Sequence, residues 1–351
     1  MSRYFVVPYL IQVKDRRKEA GAIRPIDNVN GAGLSLREAV ERVVVAMLQR
    51  SQGYNSLSDP DTKFTVTEAF SSDNHEALMV TIEPGKRGHR SRLAKADGTT
   101  VDRHTGDTEH IPLRALMYFP RDSYAAFLFI ERLGRMGTVT FMRNALIPSL
   151  TWGLRYVTVK IPPITTLQAL QAASIRNVVF RAPRRRDRSG KLIEYGPSVE
   201  LRTSYRGGRR VKGLLTEDGR KIDRSKVFGL LQEGTEEAGV SSPLDTSDWE
   251  ASLNVELPSG RPATFDMNSD GPGLVYPLLT EVDTTVGGSR YPEPEDFLSV
   301  CQTILDDIRG QLGVGDDHNL PTASSFNHWD GTGVEPWKVT YYDDPEPDRI
   351  T

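Results

Sequence analysis

Basic side chains are concentrated between residues 181 and 226 in a pattern that suits phosphate binding. This segment holds 15 Lys and Arg against 6 Asp and Glu, which leaves a net charge of +9. The planar guanidinium group of arginine donates paired hydrogen bonds to phosphate oxygens and stays charged at physiological pH. The sequence therefore predicts a nucleic-acid-binding surface. Its candidate residues are Arg181, Arg184, Arg185, Arg186, Arg188, Lys191, Arg202, Arg206, Arg209, Arg210 and Lys212.

Part of this segment is expected to form a β-hairpin with one basic face. Residues 198–205 and 210–216 flank two glycines, and a three-residue loop at 207–209 sets Tyr205 opposite Val211 and aligns the apolar positions. On the other face of the hairpin, basic side chains lie directly across the strand pair, where like charges are destabilising. A polyanion bound to this face would explain such an arrangement. The alternative is a face whose charges simply point into water. The basic positions on that face are Arg202, Arg206, Arg210 and Lys212.

Charge is divided unevenly along the whole chain. Residues 1–231 contain 39 basic and 23 acidic side chains, a net charge of +16, whereas residues 232–351 contain 5 and 24, a net charge of −19. Opposite charges attract at long range, and salt weakens the attraction. A second hypothesis follows, in which the acidic C-terminal part docks on the basic body or mimics nucleic acid. Docking between two chains would produce a homo-oligomer.

Recognisable catalytic motifs are absent from the sequence. There is no Gly-x-x-x-x-Gly-Lys-Ser/Thr phosphate loop, no Gly-x-Gly-x-x-Gly after a predicted strand, and no Gly-x-Ser-x-Gly elbow. We therefore assign no catalytic residue, metal site or cofactor, and a nuclease with a dispersed site is the third hypothesis. Few aromatic residues alternate with the arginines, which favours duplex DNA over single strands as the ligand. Binding would be directed at the backbone.

The elements that must position these residues predict an α+β fold. Ser35 and Glu38 have the spacing of a capping box, and apolar residues from Leu36 to Met47 recur at helical spacing. A second amphipathic helix is expected from Pro294. Strands are expected at residues 4–13, 63–71, 76–83, 113–119, 125–131, 155–161 and 175–181, helices at 138–150 and 165–173, and an exposed loop at 84–109. Hairpins with only a few packed helices indicate largely antiparallel sheets, in a basic body with an acidic C-terminal part.

Composition divides the chain into three predicted parts. These are an α+β N-terminal domain at 1–180, a basic hairpin-containing segment at 181–232, and an acidic region at 233–351. Cys301 is the only cysteine, and no stretch reads as a targeting or membrane segment, so we expect a cytoplasmic protein without a membrane partner. These properties would suit a component of bacterial genome maintenance or antiviral (phage) defence.

Overall fold

The computed structural model describes most of the chain in separate stretches. The described residues are 4–16, 21–50, 53–55, 62–86, 91–94, 99–103, 109–134, 136–155, 157–160, 173–181, 200–204, 211–214, 225–229, 250–257, 260, 262–266, 273–278, 291–312 and 319–339.

The chain divides into two compact units. Unit 1 comprises residues 1–162 and 278–351, and unit 2 comprises residues 163–277. The helices of unit 1 are α1 (Leu36–Gln49), α2 (Val139–Leu154) and α4 (Pro294–Leu312). Its strands are β1 (Tyr4–Asp15), β2 (Tyr54–Asn55), β3 (Thr62–Ser72), β4 (Ala77–Lys86), β5 (Ser91–Ala94), β6 (Thr100–Arg103), β7 (Glu109–His110), β8 (Leu113–Tyr118), β9 (Ala126–Leu133), β10 (Met136–Gly137), β11 (Val157–Lys160) and β17 (Phe326–His328).

An antiparallel sheet forms the centre of unit 1, with the order β1-β9-β8-β4-β3-β17. Side chains along a strand alternate between the two faces of a sheet. On one face, Leu128 and Ile130 of β9 join a buried cluster with residues of α1 and α2, including Val43 and Phe141. Both helices therefore pack on this face, where their apolar stripes leave water.

Helix α1 begins where local chemistry specifies it. The Ser35 hydroxyl accepts a hydrogen bond from the backbone N–H of Glu38, and the Glu38 carboxylate accepts one from the backbone N–H of Ser35, at 3.2 and 2.8 Å. This reciprocal cap satisfies two backbone donors that the first turn leaves unpaired. The predicted helix is confirmed.

Helix α4 packs on the opposite face of the sheet. Phe127 and Phe129 of β9 alternate with the residues that face α1 and α2, and they are fully buried. Arg114, on the same face, places its guanidinium carbon 6.0 Å from the centre of the Phe297 ring of α4. Helix α4 buries Phe297, Cys301, Ile304, Leu305 and Ile308, as its helical spacing predicts.

Residues 326–339 form a strap that continues from the sheet towards α1 and contains one turn at 331–334. Strand β17 pairs with β3, the backbone N–H of Trp329 donates to the Ala69 carbonyl at 2.8 Å, and that of Trp337 donates to the Arg42 carbonyl at 3.0 Å. Trp329 and Trp337 are partly buried against the α1–α2 cluster. These two tryptophans of the acidic C-terminal part thus find a core to pack on, because their apolar rings gain by leaving water.

Replacing Gly331 by alanine should destabilise unit 1 through a specific overlap in the strap. Gly331 has a φ of +77°, and an added Cβ would overlap Cγ2 of Val45 in α1. Gly333, at φ +82°, has no atom within 4 Å of the same position. Gly331→Ala should therefore lower the free energy of unfolding by about 1–3 kcal/mol more than Gly333→Ala, the control for backbone strain. Urea unfolding measures both, and equal losses would contradict the overlap.

Unit 2 contains a second antiparallel arrangement of short strands. These are β12 (Ser174–Arg181), β13 (Glu200–Ser204), β14 (Glu250–Glu256), β15 (Pro262–Asp266) and β16 (Gly273–Pro277), and four of the pairings give the order β13-β12-β14-β15-β16. Residues 225–229 form α3, a single short helix, and the ring of its Phe228 lies 5.4 Å from that of Phe180. Phe180, Leu253 and Phe265 are buried and supply the core of this unit.

The predicted α+β class is confirmed, with largely antiparallel pairing and few helices. The exposed loop predicted at 84–109 is wrong in part, because β4 extends to Lys86 and β5 pairs with β6 within it. The short helix predicted at 165–173 lies almost wholly outside the described residues. The three-part division at 180 and 232 follows composition, whereas the two units follow contacts, and the compositional division stays a prediction.

Candidate functional site

The described residues include only three of the predicted nucleic-acid-binding positions, all in unit 2. Arg181 is the last residue of β12, Arg202 lies within β13, and Lys212 lies in the 3-10 helix Val211–Leu214. Strand register places Arg181 between Glu200 of β13 and Glu250 of β14. The other eight candidates fall outside the described residues, namely Arg184, Arg185, Arg186, Arg188, Lys191, Arg206, Arg209 and Arg210.

The predicted basic hairpin is wrong. Its first strand exists as β13, but β13 pairs with β12, and Val211–Leu214 is a 3-10 helix where the second strand was expected. Val211 and Leu214 are both buried, and the backbone N–H of Val211 donates to the Ala173 carbonyl at 3.1 Å. Residues three apart lie on one face of a 3-10 turn, whereas in a strand they would face opposite sides of the sheet, so the burial of both Val211 and Leu214 fits the turn. Pairing with the apolar strand β12 decided between the two.

Polar side chains cross the sheet of unit 2 in one row. The Asn254 amide donates to Oδ1 of Asn177 at 2.5 Å, and the Thr264 hydroxyl donates to Oδ1 of Asn254 at 2.7 Å. The row links β12, β14 and β15 through hydrogen bonds between half-buried groups. Buried polar groups need such partners, so we interpret the row as a device that aligns the strands.

The most strongly perturbed ionisable cluster among the described residues lies in unit 1. Glu131 of β9 is completely buried, and its Oε2 lies 3.7 Å from Nη1 of Arg114 in β8. The backbone N–H of Arg114 also donates to Oε2 of Glu131 at 3.0 Å. Ala115 of β8 pairs with Ile130 of β9, so the same register brings Arg114 opposite Glu131. The Glu131 carboxylate therefore accepts its hydrogen bond from a backbone N–H of the neighbouring strand.

Arg114 connects this buried pair to the segment that enters α4. Its Nη2 donates to the Pro292 carbonyl at 2.6 Å and its Nη1 to the Glu293 carbonyl at 3.3 Å. The guanidinium carbon also lies 5.0 Å from the centre of the Tyr291 ring, a cation–π distance. Arg114 therefore holds three consecutive residues, 291–293, against the sheet.

Burial controls the protonation of the cluster. Burial raises the pKa of Glu131 to about 7, although the charge and backbone N–H of Arg114 oppose this. Burial and then the Glu131 charge raise the pKa of Tyr291 to about 12, so its hydroxyl stays protonated and donates to the Pro112 carbonyl at 2.7 Å. Burial also raises the pKa of the Cys301 thiol well above its usual range, which leaves the thiol uncharged.

A carboxyl group that titrates near neutrality is chemically suited to proton transfer. Oε1 of Glu131 is buried without a hydrogen-bond partner among the described residues. Unit 1 also has a cleft of about 360 Å³, which is lined by residues from the stretches 46–54 and 336–339. Glu131 is not among its lining residues. The geometry therefore favours a structural role, in which the pair anchors residues 291–293 and the start of α4.

No protein-family model, curated protein or solved structure matches this chain.

Arg114 and Glu131 were not among the predicted site residues, although the sequence carries a signal for them. They interrupt two strands that are otherwise almost entirely apolar, at residues 113–118 and 126–133. A charge in such a strand needs a buried partner of opposite sign. The pairing itself depends on register, which the sequence alone does not reveal.

Membrane-spanning helices and metal-binding clusters are both absent from the part of the chain that the structure describes. None of the helices there is long and apolar enough to cross a membrane. The His, Cys, Asp and Glu side chains of the same residues form no group of three that would hold a metal ion.

Proposed function

We propose that this protein binds nucleic acid through the arginine-rich part of unit 2, without a catalytic activity of its own. The carrying observation is the net charge of +9 over residues 181–226, where 15 basic side chains face only 6 acidic ones. Neutralising phosphates releases counterions, which supplies affinity without base readout. Duplex DNA is the favoured ligand. The single cysteine fits a cytoplasmic protein, and a role in genome maintenance or phage defence would use such binding.

The topology of unit 2 supports this proposal. The segment 182–199 leads into β13 at Glu200, and the segment 205–210 leaves it at Ser204. Strand β13 is five residues long, so the attachment points lie roughly 13 Å apart. Within the described residues, β13 is also the last strand in the order of this sheet. Both basic segments are therefore attached to one edge strand, close enough to serve a single duplex.

The docking hypothesis remains the alternative, because one described ion pair joins the basic and acidic parts of the sequence. Arg176 of β12 contacts Glu256 of β14 at 2.8 Å. Both side chains are about half exposed, and exposed pairs contribute little to stability. The buried residues with which α4 packs on the rest of unit 1 are apolar, which favours nucleic-acid binding as the use of the arginines.

One variant of unit 2 separates the two hypotheses. If the arginines bind nucleic acid, the affinity of the variant for duplex DNA should fall by more than about tenfold. Its stability should be unchanged, since surface substitutions usually cost within about 0.5 kcal/mol each. The docking hypothesis instead predicts a lower melting temperature or a changed sedimentation coefficient. Gel shifts at several salt concentrations measure affinity, with a log–log slope of about −4 to −5 for five neutralised phosphates. The variant changes Arg184, Arg185, Arg186, Arg206 and Arg210 to Ala.

A charge-matched control removes five cations from unit 1. Its DNA affinity should stay close to that of the wild type. In the proposal, contacts between the arginines of unit 2 and the DNA phosphates hold the duplex, and the net charge of the whole protein does not. Equal affinity in both variants, or undetectable binding of the wild type at low salt, would reject the proposed site. The control variant changes Lys14, Arg16, Lys63, Arg121 and Lys160 to Ala.

A further inference from the structure

The guanidinium group of Arg114 attaches the start of α4 to the sheet of unit 1. It donates to two carbonyls in a row, to that of Pro292 at 2.6 Å and to that of Glu293 at 3.3 Å. Its carbon also lies 5.0 Å from the centre of the Tyr291 ring and 6.0 Å from that of Phe297. The position of this guanidinium therefore determines how firmly the start of α4 is held.

The Glu131 carboxyl competes with one of these carbonyls for the same donor. Nη1 of Arg114 is 3.3 Å from the Glu293 carbonyl oxygen and 3.7 Å from Oε2 of Glu131, which is beyond hydrogen-bonding distance. A protonated Glu131 is neutral and leaves Nη1 to the carbonyl. An ionised Glu131 attracts it, because hydrogen bonds between a cation and a carboxylate are about twice as strong as neutral ones. Ionisation therefore draws Arg114 away from the start of α4.

The same segment covers Glu131 from water. The Glu131 side chain is completely buried, and a buried carboxylate is costly to ionise unless water or partners reach it. Burial comes first and the Glu131 charge second among the causes that raise the pKa of Tyr291 and of the Cys301 thiol, so both groups lie close to the carboxyl. Loosening the segment that carries them would let water reach an ionised Glu131.

Other ionisable groups surround this cluster or lie at the start of α4. Glu83 and His110 lie 3.6 Å apart and are both partly exposed, so water screens their charges. The Asp296 carboxylate accepts a hydrogen bond from the backbone N–H of Glu293 at 2.9 Å, within its own segment. Glu131 therefore gains most from an opening. The described groups are Tyr4 of β1, Glu83 of β4, His110 of β7, Arg114 of β8, and Tyr291, Glu293, Glu295, Asp296 and Cys301.

We propose that residues 291–293 and the first turns of α4 form a proton-controlled latch, which is closed while Glu131 is protonated and loosens when Glu131 ionises. In the closed form, Arg114 holds the carbonyls of Pro292 and Glu293. In the loosened form, Arg114 turns to the carboxylate and water reaches it. Burial raises the pKa of Glu131 to about 7, so the latch responds near neutral pH. It lies in unit 1 and is independent of nucleic-acid binding by unit 2.

Hydrogen–deuterium exchange of the full chain, measured by mass spectrometry at pH 5.5 and pH 8, tests the latch. Peptides covering residues 291–300 report on the latch, and peptides covering α1 report on a helix at the other face of the sheet. The Glu131 pKa is about 7 when closed and has the ordinary value of 4.5 when open to water. After correction for intrinsic exchange, the opening equilibrium of the latch should therefore rise about 25-fold. The latch should also open more readily than α1 at both pH values, since its opening is local.

Two neutral variants identify the group that controls the latch. Glu131→Gln carries no charge at either pH, so the rise in opening should disappear. Histidine side chains change charge over the same pH range, so His110→Gln is the matched control and should keep the rise. A wild-type rise smaller than about threefold would overturn the proposal, as would equal opening of the latch and α1. A rise that survives in Glu131→Gln, or is lost in His110→Gln, would overturn it as well.

Discussion

Replacing Arg114 by methionine at pH 8 should lower the free energy of unfolding by about 3–5 kcal/mol, the usual cost of removing one partner from a buried ion pair. The change leaves the completely buried Glu131 carboxylate without its cation. It also removes the donors to the Pro292 and Glu293 carbonyls, so the entry to α4 loses its anchor. Urea unfolding followed by circular dichroism measures the loss.

A double variant separates the charge effect from simple loss of packing. Arg114→Met combined with Glu131→Gln removes both charges and keeps an amide oxygen that can accept from the backbone N–H of residue 114. Because no charge is then buried alone, the double variant should be more stable at pH 8 than Arg114→Met alone. The same stability in both variants would show that the carboxylate charge is not what makes the single change costly.

Glu131 should make the protein less stable as the pH rises towards neutrality. Its pKa is about 7 in the folded chain against an ordinary value of 4.5, so the folded state holds the proton more tightly. The stabilisation is fully present below about pH 4.5 and is lost as the pH rises through 7. At about 1.4 kcal/mol per unit of pKa, the change approaches about 3 kcal/mol.

The glutamine variant isolates this contribution from that of other titrating groups. Glu131→Gln is neutral at every pH, so wild type minus variant should fall by about 3 kcal/mol between pH 4.5 and 8. Guanidinium chloride unfolding at half-unit pH steps measures both proteins. A difference that instead grows with rising pH would mean that attraction to Arg114 outweighs burial, and that the pKa of Glu131 is lowered.

Local sequence signals predicted much of unit 1. The capping box of Ser35 and Glu38 acts within one helical turn, so α1 was predictable without its neighbours. Apolar runs likewise predicted β8 and β9, and helical spacing predicted α4. The sequence predicted fewer of the strands in unit 2, where strands are short and carry more polar residues. We predicted no strand between residues 233 and 288, yet β14 alternates buried Ala251, Leu253 and Val255 with more polar residues.

Pairing over long distances decided the rest. The alternative for residues 211–214 was a strand, and only contact with residue 173 and the pairing of β13 with β12 made them a 3-10 turn. The contacts between residues 1–162 and 278–351 that form unit 1 likewise join segments far apart in sequence. Such contacts depend on which apolar faces meet, and periodicity specifies a face without naming its partner.

By itself, the sequence determined the α+β class, helices α1 and α4, the main strands of unit 1 and the separation of charge along the chain. These depend on spacing, capping and composition, which act over a few residues. Only the tertiary structure decided that Arg114 meets Glu131 beneath α4, and that Arg50 and Lys338 line one cleft. Each pair comes from separate elements, so its charges become neighbours only once the strand register and the path of the strap are set.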